Sequence, residues 1–126
     1  MTAPRPLEGR RVLVVEDEAL VALDLCLVLE ALGCSPVGPA GTVDAAIELL
    51  RSQPDLDAAL LDEHLGTALV TPVAEVLAER GVPFVVVSGR ARSMSSNPLL
   101  LDAPRLPKPA RTQRIAHALA TLLEVR

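Results

Sequence analysis

Short apolar runs that stop at a polar cluster alternate along this chain with longer stretches patterned as helices. That alternation is its strongest constraint on the fold. "RVLVV" (11–15) halts at Glu16-Asp17-Glu18, "DAALLD" (57–62) halts at acid, and "VPFVVVSG" (82–89) halts at Ser88-Gly89. Such β-branched runs read as buried strands. Between them, "EALVALDLCLVLEALG" (18–33) is rich in helix formers and closes at Gly33, and "TVDAAIELLRSQ" (42–53) opens on Thr42 as a helix cap. "ALVTPVAEVLAERG" (68–81) carries Pro72 near its first turn and closes at Gly81. "SPVGPA" (35–40) has room for a short strand only, "RARSMSSNPLLLDAP" (90–104) reads as loop with at most a short helix, and "RLP" is a last short strand. "ARTQRIAHALATLLEV" (110–125) is a final amphipathic helix. Strand–helix alternation predicts a doubly wound α/β fold: a five-stranded parallel sheet of flavodoxin-like type, order 2-1-3-4-5, with helices on both faces and a fourth helix that is short or disordered.

With 126 residues the chain fits one domain, expected to span 1–126 with its core over about 10–125. The last helix runs to the end of the sequence, so no output domain is expected. Phe84 is the single aromatic residue. The core must therefore be aliphatic, and modules that stack bases on aromatic rings are disfavoured. A net charge of −4 exerts no overall pull on phosphate backbones, so nucleic acid is not an expected partner. The arginines near the two ends (Arg5, Arg10, Arg11, Arg111, Arg114, Arg126) read as solvated surface. Cys26 and Cys34 fit no metal or redox spacing and read as reduced thiols. The N-terminus lacks the apolar stretch of a signal peptide, and no segment is long and apolar enough for a membrane span. The expected location is the cytoplasm.

Ligands of a doubly wound sheet bind beyond the carboxyl ends of its strands. Here those ends carry Glu16 and Asp17, Asp62, Ser88, and finally Lys108-Pro109. Lys108 is the only lysine among twelve basic residues. A lysine kept where the chain otherwise writes arginine points to a need for a compact ammonium rather than a guanidinium fork. Crowded carboxylates call for protons or a hard cation, and oxygen donors with open positions suit Mg²⁺. A cation, a lysine and a hydroxyl around one carboxylate form a stabilising shell for phosphoryl transfer onto Asp62.

In "VLVVEDE", "ALLDEHLG", "VPFVVVSG" and "LPKP", taken in this order, the chain resembles the receiver domain of two-component response regulators over nearly its whole length. The resemblance implies that Asp62 accepts a phosphoryl group from a kinase phosphohistidine. It implies that Asp17 and Asp62 hold Mg²⁺ with the backbone carbonyl of His64, that Glu16 assists, and that Ser88 and Lys108 contact phosphoryl oxygens. The Lys108–Pro109 bond is expected to be cis. "RGVPFVVVSGR" followed by a Pro-rich stretch is similar to a bacterial subgroup of single-domain receivers whose fourth strand reads Pro-Phe-x-Phe-Ala-Thr-Gly-Tyr. Members commonly pair with histidine kinases of the HWE and related types. This chain departs from that pattern with Ser88 for Thr and Arg90 for Tyr. It also has Arg105 where receivers usually carry an aromatic switch residue. His64 and Arg90 fall at positions that tune phosphoryl hydrolysis in the family.

Each of these residues has a plainer reading. Glu16 and Asp17 could be helix-start acids, Asp62 and Ser88 turn residues, His64 and Arg90 solvated side chains, and Lys108 surface charge. On the first helix, Val21, Leu25, Val28 and Leu32 form a predicted core stripe. Leu20, Leu23 and Leu27 form a second stripe, which either joins Pro109 in a partner surface or is buried against the N-terminal arm and the last helix. The expected function is a stand-alone receiver that signals by protein contact or phosphorelay to a downstream target. Its partners would be a histidine kinase or a phosphotransfer protein, with the oligomeric state left open. It would not be an enzyme beyond its own phosphorylation and dephosphorylation. A phosphorylation-independent binding module and a small Mg²⁺-dependent phosphohydrolase are the rivals.

Overall fold

A computed structural model describes residues 7–90 and 97–123. Five strands form the main sheet: β1 (Arg11–Val15), β2 (Ser35–Ala40), β3 (Ala58–Leu61), β6 (Phe84–Ser88) and β7 (Arg105–Pro107). Their order is β2-β1-β3-β6-β7, and every pairing is parallel. This is the expected 2-1-3-4-5 winding, with a small hairpin inserted between the third and fourth strands. The helices are α1 (Ala19–Ala31), α2 (Val43–Ser52), α3 (Thr71–Glu79), α4 (Pro98–Leu101) and α5 (Thr112–Leu123).

Strand parity divides the core. Successive side chains of a strand point to opposite faces. Val12, Val14, Ala58, Leu60, Val85 and Val87 pack with Leu25 and Leu29 of α1 and with Ile115 and Leu119 of α5. Leu13, Val15, Ala59, Leu61, Phe84 and Val86 pack on the other side with Leu50, Val73, Leu77 and Leu100. Both faces are thus covered, which is why the strands read as continuous apolar runs rather than alternating ones. Thr42 caps α2 as its sequence predicts, its hydroxyl accepting the Ala45 N–H at 3.0 Å.

Several expectations need correction. The stretch 68–81 is not helical throughout: Ala68–Leu69 is a strand, β5, paired antiparallel with β4 (His64–Leu65). Gly66 makes the turn between them possible, since its φ of 64° is open chiefly to glycine. The buried line of α1 is Ala22, Leu25 and Leu29, with Val21, Val28 and Leu32 only at its margins. The expected stripe of Val21, Leu25, Val28 and Leu32 lies off-centre from it, because nearly every position of α1 is apolar and periodicity alone cannot locate its face. Arg10 and Arg11 are partly buried rather than free surface: Arg10 pairs with Asp57 at 3.4 Å, and Arg11 donates to Gln53. Arg111 and Arg114 are exposed. The fourth helix is short, a single turn. Of the stretch 90–104, expected to be loop with at most a short helix, residues 91–96 lie outside the described residues, as do Arg5 and Arg126.

Candidate phosphoryl-acceptor site

Glu16, Asp62 and Lys108 hang from the last rung of the parallel ladder. The Glu16 amide donates to Ala40 O at 2.9 Å, the Asp62 amide to Val15 O at 2.8 Å and the Lys108 amide to Ser88 O at 3.0 Å. The sheet therefore brings residues far apart in sequence to one edge. Glu16, Asp17 and Asp62 each offer a carboxylate oxygen, and these oxygens lie within 4.8 Å of one another. Lys108 Nζ stands among carboxylates, 2.9 Å from Glu16 Oε1, 3.1 Å from Asp62 Oδ2 and 3.3 Å from Glu18 Oε1. The Lys108–Pro109 peptide is cis.

The electrostatics follow from this crowding. Burial by itself would lower the lysine's pKa, but the carboxylates of Glu16 at 2.9 Å and Asp62 at 3.1 Å outweigh it, so Lys108 is held above the ordinary lysine range. Burial pushes the Glu16 carboxyl up, the charge of Asp62 adds to the rise, and Lys108 and the Glu18 amide oppose it. Glu16 is 2 % exposed, and its two oxygens are used differently. Oε2 accepts the Glu18 N–H at 3.0 Å, at the start of α1. Oε1 meets the lysine charge but has no aligned hydrogen-bond donor. An oxygen in that condition, beside two more carboxylates, fits a hard cation such as Mg²⁺.

The remaining candidates sit around this centre. Asp17 is exposed, and its Oδ2 accepts the Gly66 N–H at 2.8 Å, so the 64–69 hairpin is tied back over the acidic site. His64 is half-buried in β4, its amide 3.4 Å from Asp62 Oδ1. Ser88 is buried at the end of β6, and its Oγ accepts the Arg90 N–H at 3.0 Å. Arg105 turns away from solvent to Glu63, while His117 is exposed on α5. Two participants were missed by sequence reasoning. Glu18 was noted only as part of an acidic strand end, yet it reaches Lys108. Glu63 is wholly buried, and no signal in the sequence marks it, since both parities of β3 face a core. Leu20, Leu23 and Leu27 of α1 are 82 %, 54 % and 54 % exposed, and Pro109 is exposed beside Lys108.

A scan against protein-family models finds no match. Among curated proteins the chain is similar to the transcriptional regulatory protein PdtaR of Mycobacterium tuberculosis, 36 % identical over 81 residues. That match covers 63 % of this chain and 38 % of the regulator, so the chain spans well under half of the curated relative's length. Among solved structures it is similar to SdrG from Sphingomonas melonis Fr1, with 41 % identity, coverage of 91 % of this chain and 97 % of that one, and a TM-score of 0.78. SdrG in a BeF3-activated conformation, from Pseudomonas melonis Fr1, matches with 39 % identity, 97 % and 99 % coverage and a TM-score of 0.74. A response regulator receiver protein from Sinorhizobium medicae WSM419 is 27 % identical, with 94 % and 98 % coverage and a TM-score of 0.79. The wound parallel sheet, with carboxylates and a lysine gathered at one edge, is that of a doubly wound α/β domain. The chain belongs to the response regulator receiver family.

Proposed function

We propose that the chain is a stand-alone receiver that takes a phosphoryl group from a histidine kinase onto Asp62 and signals through protein contact or onward phosphorelay. The observation that carries this reading is the position of Asp62. It is an almost buried carboxylate, 8 % exposed, at the end of the central β3 strand and 3.1 Å from the chain's lone lysine. In the transfer, the phosphorus–nitrogen bond of a phosphohistidine breaks as a bond forms from an Asp62 oxygen to phosphorus, and the electron pair leaves with the imidazole. The charge spread over the phosphoryl oxygens would meet the Lys108 ammonium and the Ser88 hydroxyl. Glu16, Asp17 and Asp62, with the His64 backbone carbonyl, would hold Mg²⁺, which when bound offsets the negative charge of the carboxylates and the incoming phosphoryl group. Hydrolysis reverses the state: water attacks phosphorus, the bond to Asp62 breaks, and inorganic phosphate leaves. His64 and Arg90 flank that approach and would tune its rate.

The kinase would dock on the exposed leucines of α1 and on Pro109. A groove of about 420 Å³ between Leu20, Leu25 and Pro109, opening beside Lys108, supports that surface. A kinase of the HWE type and a cytoplasmic location belong to the same proposal. No described helix is long and apolar enough to cross a membrane. Arg105, in place of an aromatic residue, favours a second reading in which the chain binds partners without phosphorylation.

Thermal unfolding with beryllofluoride, a phosphoryl mimic, separates the two readings. Beryllofluoride and Mg²⁺ together should raise Tm in the wild type more than either alone, and Asp62→Ala should abolish the extra rise. An equal response in Asp62→Ala would defeat the acceptor assignment.

A further inference from the structure

Glu18 occupies the cap position of α1, yet its side chain accepts no helix N–H. Its own backbone N–H is held by Glu16 Oε2 at 3.0 Å. The carboxylate runs instead to Lys108, with Oε1 3.3 Å from Nζ. The three carboxylates around that ammonium are not alike. The side chains of Glu16 and Asp62 are 0 % and 10 % exposed, that of Lys108 is 17 % exposed, and that of Glu18 is 65 % exposed. Glu18 is therefore the outer partner, meeting the lysine from the solvent side. It also lines, with Leu20, Asp24, Lys108 and Pro109, the groove that opens beside the lysine. Its carboxylate thus stands where that groove reaches the site.

We infer that Glu18 is a specificity-determining residue that selects phosphodonors by charge: it holds Lys108 from outside at rest and disfavours donors whose leaving group departs as an anion. The inference rests on the proposed role of Asp62 and concerns which donors reach it. Glu18 lies outside the group of carboxylates whose oxygens cluster at the site, so its charge stays in place to meet an arriving donor. In transfer from acetyl phosphate, the bond from phosphorus to the acetyl oxygen breaks as a bond forms from an Asp62 oxygen to phosphorus. The electron pair leaves on acetate, an anion. In transfer from phosphoramidate the phosphorus–nitrogen bond breaks, and a nitrogen that already carries its protons leaves as neutral ammonia. A phosphohistidine protonated on its other ring nitrogen behaves as the second donor does, since its imidazole leaves neutral. An exposed carboxylate beside the path repels the first kind of donor more than the second, and the difference for one partly screened unit charge is about threefold in rate.

Two measurements test this in the wild type and in Glu18→Gln, which keeps the size of the side chain and removes its charge. The first follows phosphoryl uptake by intact mass with Mg²⁺ and either acetyl phosphate or phosphoramidate. In Glu18→Gln the ratio of the acetyl phosphate rate to the phosphoramidate rate should rise by about threefold. Release of Lys108 alone would raise both rates together and leave that ratio where it was. The second measurement needs no metal. Lys108 is the only lysine, so labelling lysine with ¹³C gives a single Cε signal to follow. Salt at about 1 M screens the exposed contact to Glu18 far more than the buried contacts to Glu16 and Asp62. The wild-type signal should therefore move with salt toward its place in Glu18→Gln, whose own signal should hold still. An unchanged rate ratio in Glu18→Gln would overturn the charge selection. A lysine signal that ignores salt in the wild type, or moves equally in both proteins, would overturn the contact on which it depends. A wild type that takes up a phosphoryl group from neither donor would overturn the proposed function, and this inference with it.

Discussion

Three carboxylates converge on Lys108, and this arrangement makes the lysine hard to replace. Arginine would keep the charge but spread it over a plane with fixed donor directions, which cannot face Glu16, Glu18 and Asp62 at once. Lys108→Arg is therefore expected to slow phosphoryl uptake by roughly 10²-fold, the scale of losing one charge-stabilising donor, as followed by adduct formation over time. Lys108→Met removes the cation altogether and leaves Glu16 and Asp62 facing each other with little solvent. It should lower stability by on the order of 2–4 kcal/mol in calorimetry without divalent cation, and added Mg²⁺ should restore part of the loss. The pH dependence has a definite sign. Because the folded lysine binds its proton more tightly than the unfolded one, its contribution is fully present below the ordinary value of 10.5 and is lost only as pH rises through the folded value. Thermal scans should show no loss from this residue at neutral pH, and, from neutral pH upward, a wild-type advantage over Lys108→Met that shrinks only under strong alkali.

The elements differ in how plainly they can be read from their residues. Helix α1 has a buried side and a bare side, and substitutions should sort accordingly. Leu29→Ala, at a fully buried position, should cost about 2–5 kcal/mol in denaturant unfolding. Leu23→Glu, on the bare side, should change stability by no more than about 0.5 kcal/mol while weakening kinase binding. Thr42→Ala should cost about 1 kcal/mol by removing the cap of α2. The β1, β3 and β6 strands were legible because burial on both faces writes unbroken apolar runs that end where the polar edge begins. The 64–69 hairpin was not. Its strands are two residues each, too short for alternation to register, and Ala68-Leu69-Val70 are as compatible with a helix start as with a turn. The Glu63–Arg105 pair was hidden for another reason: an acid beside Asp62 looks like part of a solvated cluster, and both parities of β3 face a core, so alternation does not single it out.

At the scale of the whole molecule, function depends on how the sheet is wound. Residues 16, 62, 88 and 108 are far apart in sequence, and only the parallel order β2-β1-β3-β6-β7 brings their strand ends to one edge. That edge was readable from sequence because the topology of alternating strands and helices has few solutions and four of the five strand ends carry a polar or charged residue. The two large apolar clusters on either side of the sheet make this edge the rim of a close-packed body. The most direct test of the account is the intact mass of the protein after incubation with Mg²⁺ and a small phosphodonor, with Asp62→Ala alongside. The account predicts that the wild type gains one phosphoryl group only when Mg²⁺ is present, and that Asp62→Ala gains none. A wild type that gains no mass, or an Asp62→Ala protein that gains the same mass, would contradict it.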